Sequence, residues 1–151
     1  MRKTLDCAPL KIRPPEPGDA GPLAVLAGEL GYPTSAAEMR ARLRAIKPSA
    51  DNAIFVAQAP TGAVIGWIHV RVTRLLEVPL RAEVNGLVVG EAYRSSGAGA
   101  RLLGEAEAWA HKKKCVNMSV RSNVIRDRAH KFYERQGYEH CKTQKAFRKR
   151  L

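Results

Sequence analysis

The stretch "LVVGEAYRSSGAGARLLGEAEAWA", residues 87–110, decides the reading of this chain. An apolar run, Leu87, Val88 and Val89, meets a turn of short residues, Ser95, Ser96, Gly97, Ala98 and Gly99, which opens into a helical pattern. Leu102, Leu103, Ala106, Trp109 and Ala110 recur at helical spacing and predict an amphipathic helix over residues 97–112. The first N–H groups of such a helix lack internal partners, and the helix dipole makes that end partly positive. Glycines at 97 and 99 remove side chains where an anion would approach the backbone, so the turn suits a phosphate or pyrophosphate. A Gly-x-Gly between strand and helix is also an ordinary tight turn, and alone it does not choose between these readings. No Lys-Ser/Thr pair follows to make a P-loop, and the third small residue of a dinucleotide fingerprint is missing. NTP hydrolysis and NAD binding are therefore disfavoured.

Outward from this stretch, 151 residues fit one domain with a real core, so residues 1–151 are expected to form a single domain. No apolar run approaches the roughly 20 residues that span a bilayer. The N-terminus is basic but lacks the apolar core of a signal peptide, which makes the cytoplasm the expected compartment, with no membrane partner. Cys7, Cys115 and Cys141 are widely spaced and show neither zinc spacing nor a redox pair. Cys115, inside the apolar "CVNMSV", reads as a small buried hydrophobe. With no clustered carboxylates at ligand spacing, no metal is expected. The formal net charge of +12 is uneven, because residues 111–151 carry 13 Lys/Arg against 3 Asp/Glu. Such a region is either a solvated face or a field for a polyanion: a phosphorylated cofactor, an acidic substrate or nucleic acid.

The remaining elements follow from periodicity and punctuation. Residues 9–13 predict a short strand, Asp19 caps a helix to about Leu30, and Ser35 with Glu38 forms a capping box for a second helix ending near Ile46. "NAIFVAQ" (52–58) and "AVIGWIHVRV" (63–72) predict a hairpin, "TRLLEVPLR" (73–81) a loop, and "AEVNGLVV" (82–89) a strand. After the helix at 97–112 come a strand at 115–120, a helix over 126–136 stopped by Gly137, and a final β segment through "YEHCKTQKAFRK". The sum is one α+β domain built on a mixed sheet flanked by about four helices.

Two patterns in this order resemble the GNAT superfamily of acetyl-CoA-dependent N-acetyltransferases. Arg94-x-x-Gly97-x-Gly99 matches its R/Q-x-x-G-x-G/A signature, and "SNVIRDRAHKFYERQGYEH" carries Asn123, Ala129, Phe132, Tyr133, Gly137 and Tyr138 in the pattern of its later helix. The resemblance is strongest over residues 82–140. It implies acetyl-CoA as the donor, with the pyrophosphate on the backbone of Ser95, Ser96, Gly97, Ala98, Gly99 and Ala100 behind Arg94. It also implies that the strand Leu87, Val88 and Val89 pairs with the pantetheine arm as an added strand would. In the family a bulge in that strand frees a main-chain N–H to polarise the thioester carbonyl, a feature not legible in this sequence. Asn123 would bond the pantetheine amides, its alternative being a turn residue after the strand. Arg126, Arg128 and Lys131 are candidates for the outer phosphates, their alternative being solvated charges on an exposed helix, and Ala129 and Phe132 would border the cofactor.

For chemistry, the resemblance makes Tyr133 the general acid toward the leaving thiolate; the alternative is a tyrosine that only packs on its helix face. A lysine-like amine is mostly protonated at pH 7, so a base is needed, and Glu83, six residues before Val89, stands where some members place theirs. The alternatives are a solvated strand-end glutamate, or solvent itself as base; Asn85 is an amide and cannot serve. His69, alternating with Trp67 and Arg71, reads as half-exposed rather than a catalyst, and His130, beside the Tyr133 helix face, as packing near the cofactor or facing solvent. The expected acceptor is a small-molecule amine or a protein amine, and the resemblance allows a homodimer. Two competing classes stay open: a CoA-binding sensor without turnover, and a basic nucleic-acid binder. The second is disfavoured because the basic region lacks interleaved exposed aromatics.

Overall fold

The computed structural model describes residues 10–47 and 49–151; Cys7 and the first residue of the strand expected at 9–13 lie outside them. The chain divides into two compact units, one ending at Val120 and one spanning Arg121–Leu151.

In the first unit the strands are β1 (Lys11–Arg13), β2 (Asn52–Gln58), β3 (Val64–Leu75), β4 (Val78–Val89) and β5 (Met118–Val120), and the helices α1 (Ala20–Glu29), α2 (Ala36–Ile46) and α3 (Ala98–Lys112). The sheet order is β1-β2-β3-β4-β5, antiparallel except for the β4–β5 pair. The connection through α3 supplies the length that a parallel neighbour needs.

Alternation along the strands gives the sheet two faces. One carries Ile68, Val70 and Val72 of β3 and Ala82 and Val84 of β4, all buried, and is covered by Leu102, Leu103 and Ala106 of α3. A Cβ on Gly66 would lie 2.8 Å from the Val88 carbonyl oxygen and 3.2 Å from Leu102 Cδ1, so β3 has no room for a side chain where α3 crosses it. The other face meets α1: the Trp67 ring lies over Gly86, 2.8 Å from where a Cβ would stand, with Leu30 beside it. Arg13 forks onto the buried carboxylate of Asp19 at 2.7 and 3.1 Å and ties β1 to the turn that enters α1. That guanidinium holds the Asp19 carboxyl below its ordinary range.

The residues 73–81 are not a loop. β3 and β4 continue through them to the tip Leu76-Glu77, with Thr73 opposite Arg81 and Leu75 opposite Val78. The tip holds no Gly or Asn to announce a hairpin, and Pro79 argues against a strand, yet a slip in the register near the tip accommodates it. The strand expected at 115–120 is shorter than its apolar run. Cys115 N–H closes the end of α3 on the Ala110 carbonyl (3.1 Å) and Lys114 takes a left-handed φ of 66°, so the strand itself begins only at Met118, after a first backbone bond from Val116 N–H to the Leu80 carbonyl at 2.9 Å. Cys115 is half-buried rather than buried, and its burial pushes the thiol pKa up.

The second unit holds one helix, α4 (Asp127–Arg135), followed by irregular, exposed chain. The final β segment expected through residues 138–149 does not form there; Phe147, its large apolar residue, is 90% exposed. A strand needs a partner ladder, and propensity alone does not supply one.

Candidate active site

The site in the first unit starts from a defect in β4. Asn85 stands unpaired where the register with β3 slips between His69–Gly86 and Val70–Val84. Before the slip, Ala82 N–H donates away from β3, to the Asn117 carbonyl at 3.0 Å. After it, Gly90 N–H donates to the Ile65 carbonyl at 2.8 Å, which marks Ile65–Gly90 as a bonded pair. Bonded pairs alternate in an antiparallel ladder, so Trp67–Val88 and His69–Gly86 are bonded and the main chain of Leu87 and Val89 turns away from β3. The extra residue is what selects Leu87 and Val89 rather than Gly86 and Val88. β5 pairs with β4 only over Ala82–Val84. Among the described residues, therefore, no strand lies along the outward edge at Leu87 and Val89.

That edge runs into the glycine turn. A short 3-10 turn, Glu91–Tyr93, leads to Arg94 in extended conformation, and then Ser95 and Gly97 both take left-handed φ, 65° and 87°. A left-handed serine costs about 1–2 kcal/mol, the kind of strain that collects at ligand loops. A Cβ on Gly97 would meet nothing within 4 Å, so glycine is required there by φ and not by space. Among the described residues the N–H groups of Gly97, Gly99 and Ala100 have no acceptor, and Ala98 N–H has only a long 3.4 Å bond to Ser96 Oγ. Consecutive open donors at a helix N-terminus make a concave anion site.

Glu83 is buried, 5% exposed, and sits opposite Arg71 on β3 and Ser119 on β5. Burial removes the reading of a solvated strand-end glutamate. His69, two residues along on the same face, bonds Asn52 through Nε2 at 2.8 Å, while Asn52 Nδ2 donates to Ser49 Oγ at 3.2 Å. The second bond turns Asn52 Oδ1 toward the imidazole, so Nε2 carries the proton. Burial, then the charge of Arg71, hold the His69 pKa below its ordinary value, so the ring is neutral near pH 7. On the same side of the sheet a cleft of 270 Å³ opens between α1 and the end of β4, with Glu29, Leu26 and Tyr93 in its wall.

In the second unit α4 ends in a motif that explains its sequence. Gly137 takes φ 88°, its N–H bonds the Glu134 carbonyl and Tyr138 N–H bonds the Tyr133 carbonyl, both at 3.0 Å. This Schellman geometry folds Tyr138 back on Tyr133, rings 5.8 Å apart and edge-on, with Phe132 at 5.2 Å on the other side. Burial pushes the Tyr133 phenol up to about 12, against the pull of Arg126, so it stays protonated at neutral pH. Asn123 Oδ1 accepts from Ile125 N–H at 3.1 Å in a local turn, and its carbonyl accepts from His130 Nε2 at 2.9 Å. Ala129 shares the half-buried side of α4 with Phe132 and Tyr133.

The sequence profile of the acetyltransferase (GNAT) family matches residues 25–138. The chain belongs to this family. No curated protein sequence matches it. Among solved structures, this GNAT chain is similar to the aminoglycoside antibiotic 6′-N-acetyltransferase AAC(6′)-Ih of Acinetobacter baumannii, at 18% identity over 95% of this chain and 99% of that one, with a TM-score of 0.83. It is also similar to AAC(6′)-Iy in complex with the bisubstrate analog CoA-S-monomethyl-acetylneamine, at 19% identity, 95% and 100% coverage and a TM-score of 0.83. A third is glucosamine-6-phosphate N-acetyltransferase from Arabidopsis thaliana, at 19% identity, 93% and 99% coverage and a TM-score of 0.80. At these identities the likeness is one of fold.

Within the first unit the GNAT chain thus brings Leu87, Val88 and Val89 into line with Arg94, Ser95, Ser96, Gly97, Ala98, Gly99 and Ala100, and places Glu83 on the same strand just before the bulge. Tyr133, Asn123, Arg126, Ala129 and Phe132 belong to the second unit. Sequence reading passed over Asn52, Arg71 and Arg81, which the register puts on one face with His69 and Glu83. The signal was present in β3, where His69, Arg71 and Thr73 alternate with Ile68, Val70 and Val72, but the strand's partners were not readable.

Proposed function

We propose that residues 1–151 act as one acetyl-CoA-dependent N-acetyltransferase domain, moving an acetyl group to a primary amine by direct transfer. The observation that carries this reading is the bulge at Asn85, which turns the Leu87 and Val89 main chain outward on an open edge leading to the unfilled donors of Gly97, Gly99 and Ala100. An extended amide-bearing arm ending in a pyrophosphate fits that sequence of groups: strand-like pairing along β4, then an anion in the turn. Leu87 N–H, just past the bulge, is the donor that would meet developing charge on a thioester oxygen.

In this reading the amine lone pair attacks the thioester carbonyl, Glu83 takes an N–H proton, the C–S bond breaks, and the leaving sulfur is met by a hydrogen bond from the Tyr133 hydroxyl, its proton completed from solvent. The family resemblance supports both assignments. The phenol that holds its proton at neutral pH supports the second, although a pKa near 12 makes full transfer to sulfur uphill, so its part is donation of a strong hydrogen bond with partial transfer.

Calorimetric titration with acetyl-CoA, on wild type and Gly99→Glu, tests the donor site. Gly99 lies in the first turn of α3, where a glutamate suits the helix but sets a carboxylate in the anion site. Micromolar binding that is lost in Gly99→Glu is expected, followed by amine acetylation that Tyr133→Phe slows about 10-fold or more. Binding without transfer to any amine would make the chain a sensor. No binding of acetyl-CoA or CoA would end the reading.

A further inference from the structure

The α1-facing side of the sheet is used by the proposed reaction only at Glu83, yet it carries an unbalanced set of hydrogen-bond donors. Register places Asn52, Arg71, Glu83 and Ser119 on one row across four strands, with Thr73 opposite Arg81 on the next. Directly opposite residues project from the same face, so these side chains form one polar patch. Arg71 and Arg81 are diagonal neighbours, a relation that sets them about 7–8 Å apart and lets both guanidiniums reach one oxyanion.

Among the described residues neither arginine forms an ion pair. Arg71 is exposed, whereas Arg81 Nε is buried with no hydrogen-bond partner, as is Thr73 Oγ1 across from it. Nε–H can only donate, and a buried donor left unmade is costly, so Arg81 is arranged for an acceptor that the described residues do not supply, with Arg71 beside it. Of the side chains that β2–β5 turn to this face, Glu83 is the one carboxylate, and His69, facing Asn52, Arg71 and Glu83, is neutral near pH 7. A second ammonium on the acceptor would meet two guanidiniums, whereas a carboxylate or phosphate would meet their open donors.

We propose that the acceptor is a compact amine carrying its own carboxylate or phosphate, the anionic end held by Arg71, Arg81 and Thr73 while the nitrogen faces Glu83. This rests on the N-acetyltransferase reading. The anionic group takes no part in the bond changes: the C–N bond forms, the C–S bond breaks, Glu83 takes the amine proton and the sulfur receives one. The arginines fix which amine presents its lone pair.

The test compares four matched amines, O-phosphoethanolamine, β-alanine, ethanolamine and putrescine, on wild type, Arg71→Gln and Arg81→Gln. Wild type should prefer the first two over ethanolamine by about 10- to 100-fold in kcat/KM, the range of a charge-assisted contact, with putrescine poorest. Each variant should lose that preference while ethanolamine turnover stays within about 2-fold, which also reports that the variant is folded. The first two amines separate carboxylate from phosphate as the preferred anion. Ethanolamine or putrescine equal to the anionic amines, or variants that slow all four alike, would overturn the proposal. If none is acetylated, calorimetric binding of O-phosphoethanolamine against ethanolamine decides: a preference lost in both variants upholds the anion site apart from the transferase reading, and no preference removes the anion site.

Discussion

On the side of the sheet that meets α3, the facing positions of β3 and β4 are apolar and closed: Ile68 and Val70 have no exposed surface, Leu102 and Leu103 none above them. On the side that meets α1 the same two strands present Trp67, His69, Arg71, Thr73, Arg81 and Glu83, and three of these, Trp67, Thr73 and Arg81, hold a buried polar atom without a partner among the described residues. Both faces come from the same alternation, one residue apart. A face that exists for stability satisfies itself, whereas a face that keeps unpaired buried donors bears a cost that packing does not explain. The bulge at Asn85 sits at their junction, and by shifting the phase by one residue it also decides which main-chain groups are left for a ligand.

Substitutions on the two faces should therefore separate activity from stability. The largest expected effect is on the polar face: Glu83→Gln keeps the shape and should lower kcat/KM for amine acetylation, per folded molecule, by about 10²-fold or more. Equal loss of melting temperature and activity would put Glu83 back among structural residues. On the apolar face, Ile68→Ala should cost about 2–5 kcal/mol in denaturant unfolding through the cavity it leaves, with turnover per folded molecule retained.

The smallest effect is a pH slope. His69 is depressed in the folded chain, so folding favours its neutral form. Its contribution is intact above the unfolded value near 6.5 and is lost as pH falls through the lower folded value, because the unfolded chain binds the proton first. Unfolding free energy measured from pH 7 downward should fall below about 6.5, and His69→Gln should flatten that part of the curve. A slope unchanged by the substitution would mean that the imidazole is not held neutral by its surroundings.

What could be read in advance was local. Gly97 and Gly137 announced their turns because left-handed φ is penalised in other residues, and the stripe Leu102, Leu103, Ala106 announced α3 because burial repeats with the helical period. The Ser35 cap was legible for the same reason, since its oxygen needs only Glu38 N–H, three residues away. These same local signals carried the family motifs. Where an outcome depended on a partner far along the chain, the sequence was silent or misleading. The hairpin tip at Leu76-Glu77 has no turn residues, and the alternating stretch after Tyr138 has strand propensity without a ladder.

The sequence by itself determined the glycine turn, the helix it opens and the tyrosine helix with its glycine stop, because each is settled by contacts within a few residues. Only the tertiary structure decided that Glu83 is buried, that Arg71 and Arg81 share its face, and that Leu87 and Val89 turn their main chain outward. Those facts depend on register across β3, β4 and β5, and one unpaired residue, Asn85, resets register for everything that follows it.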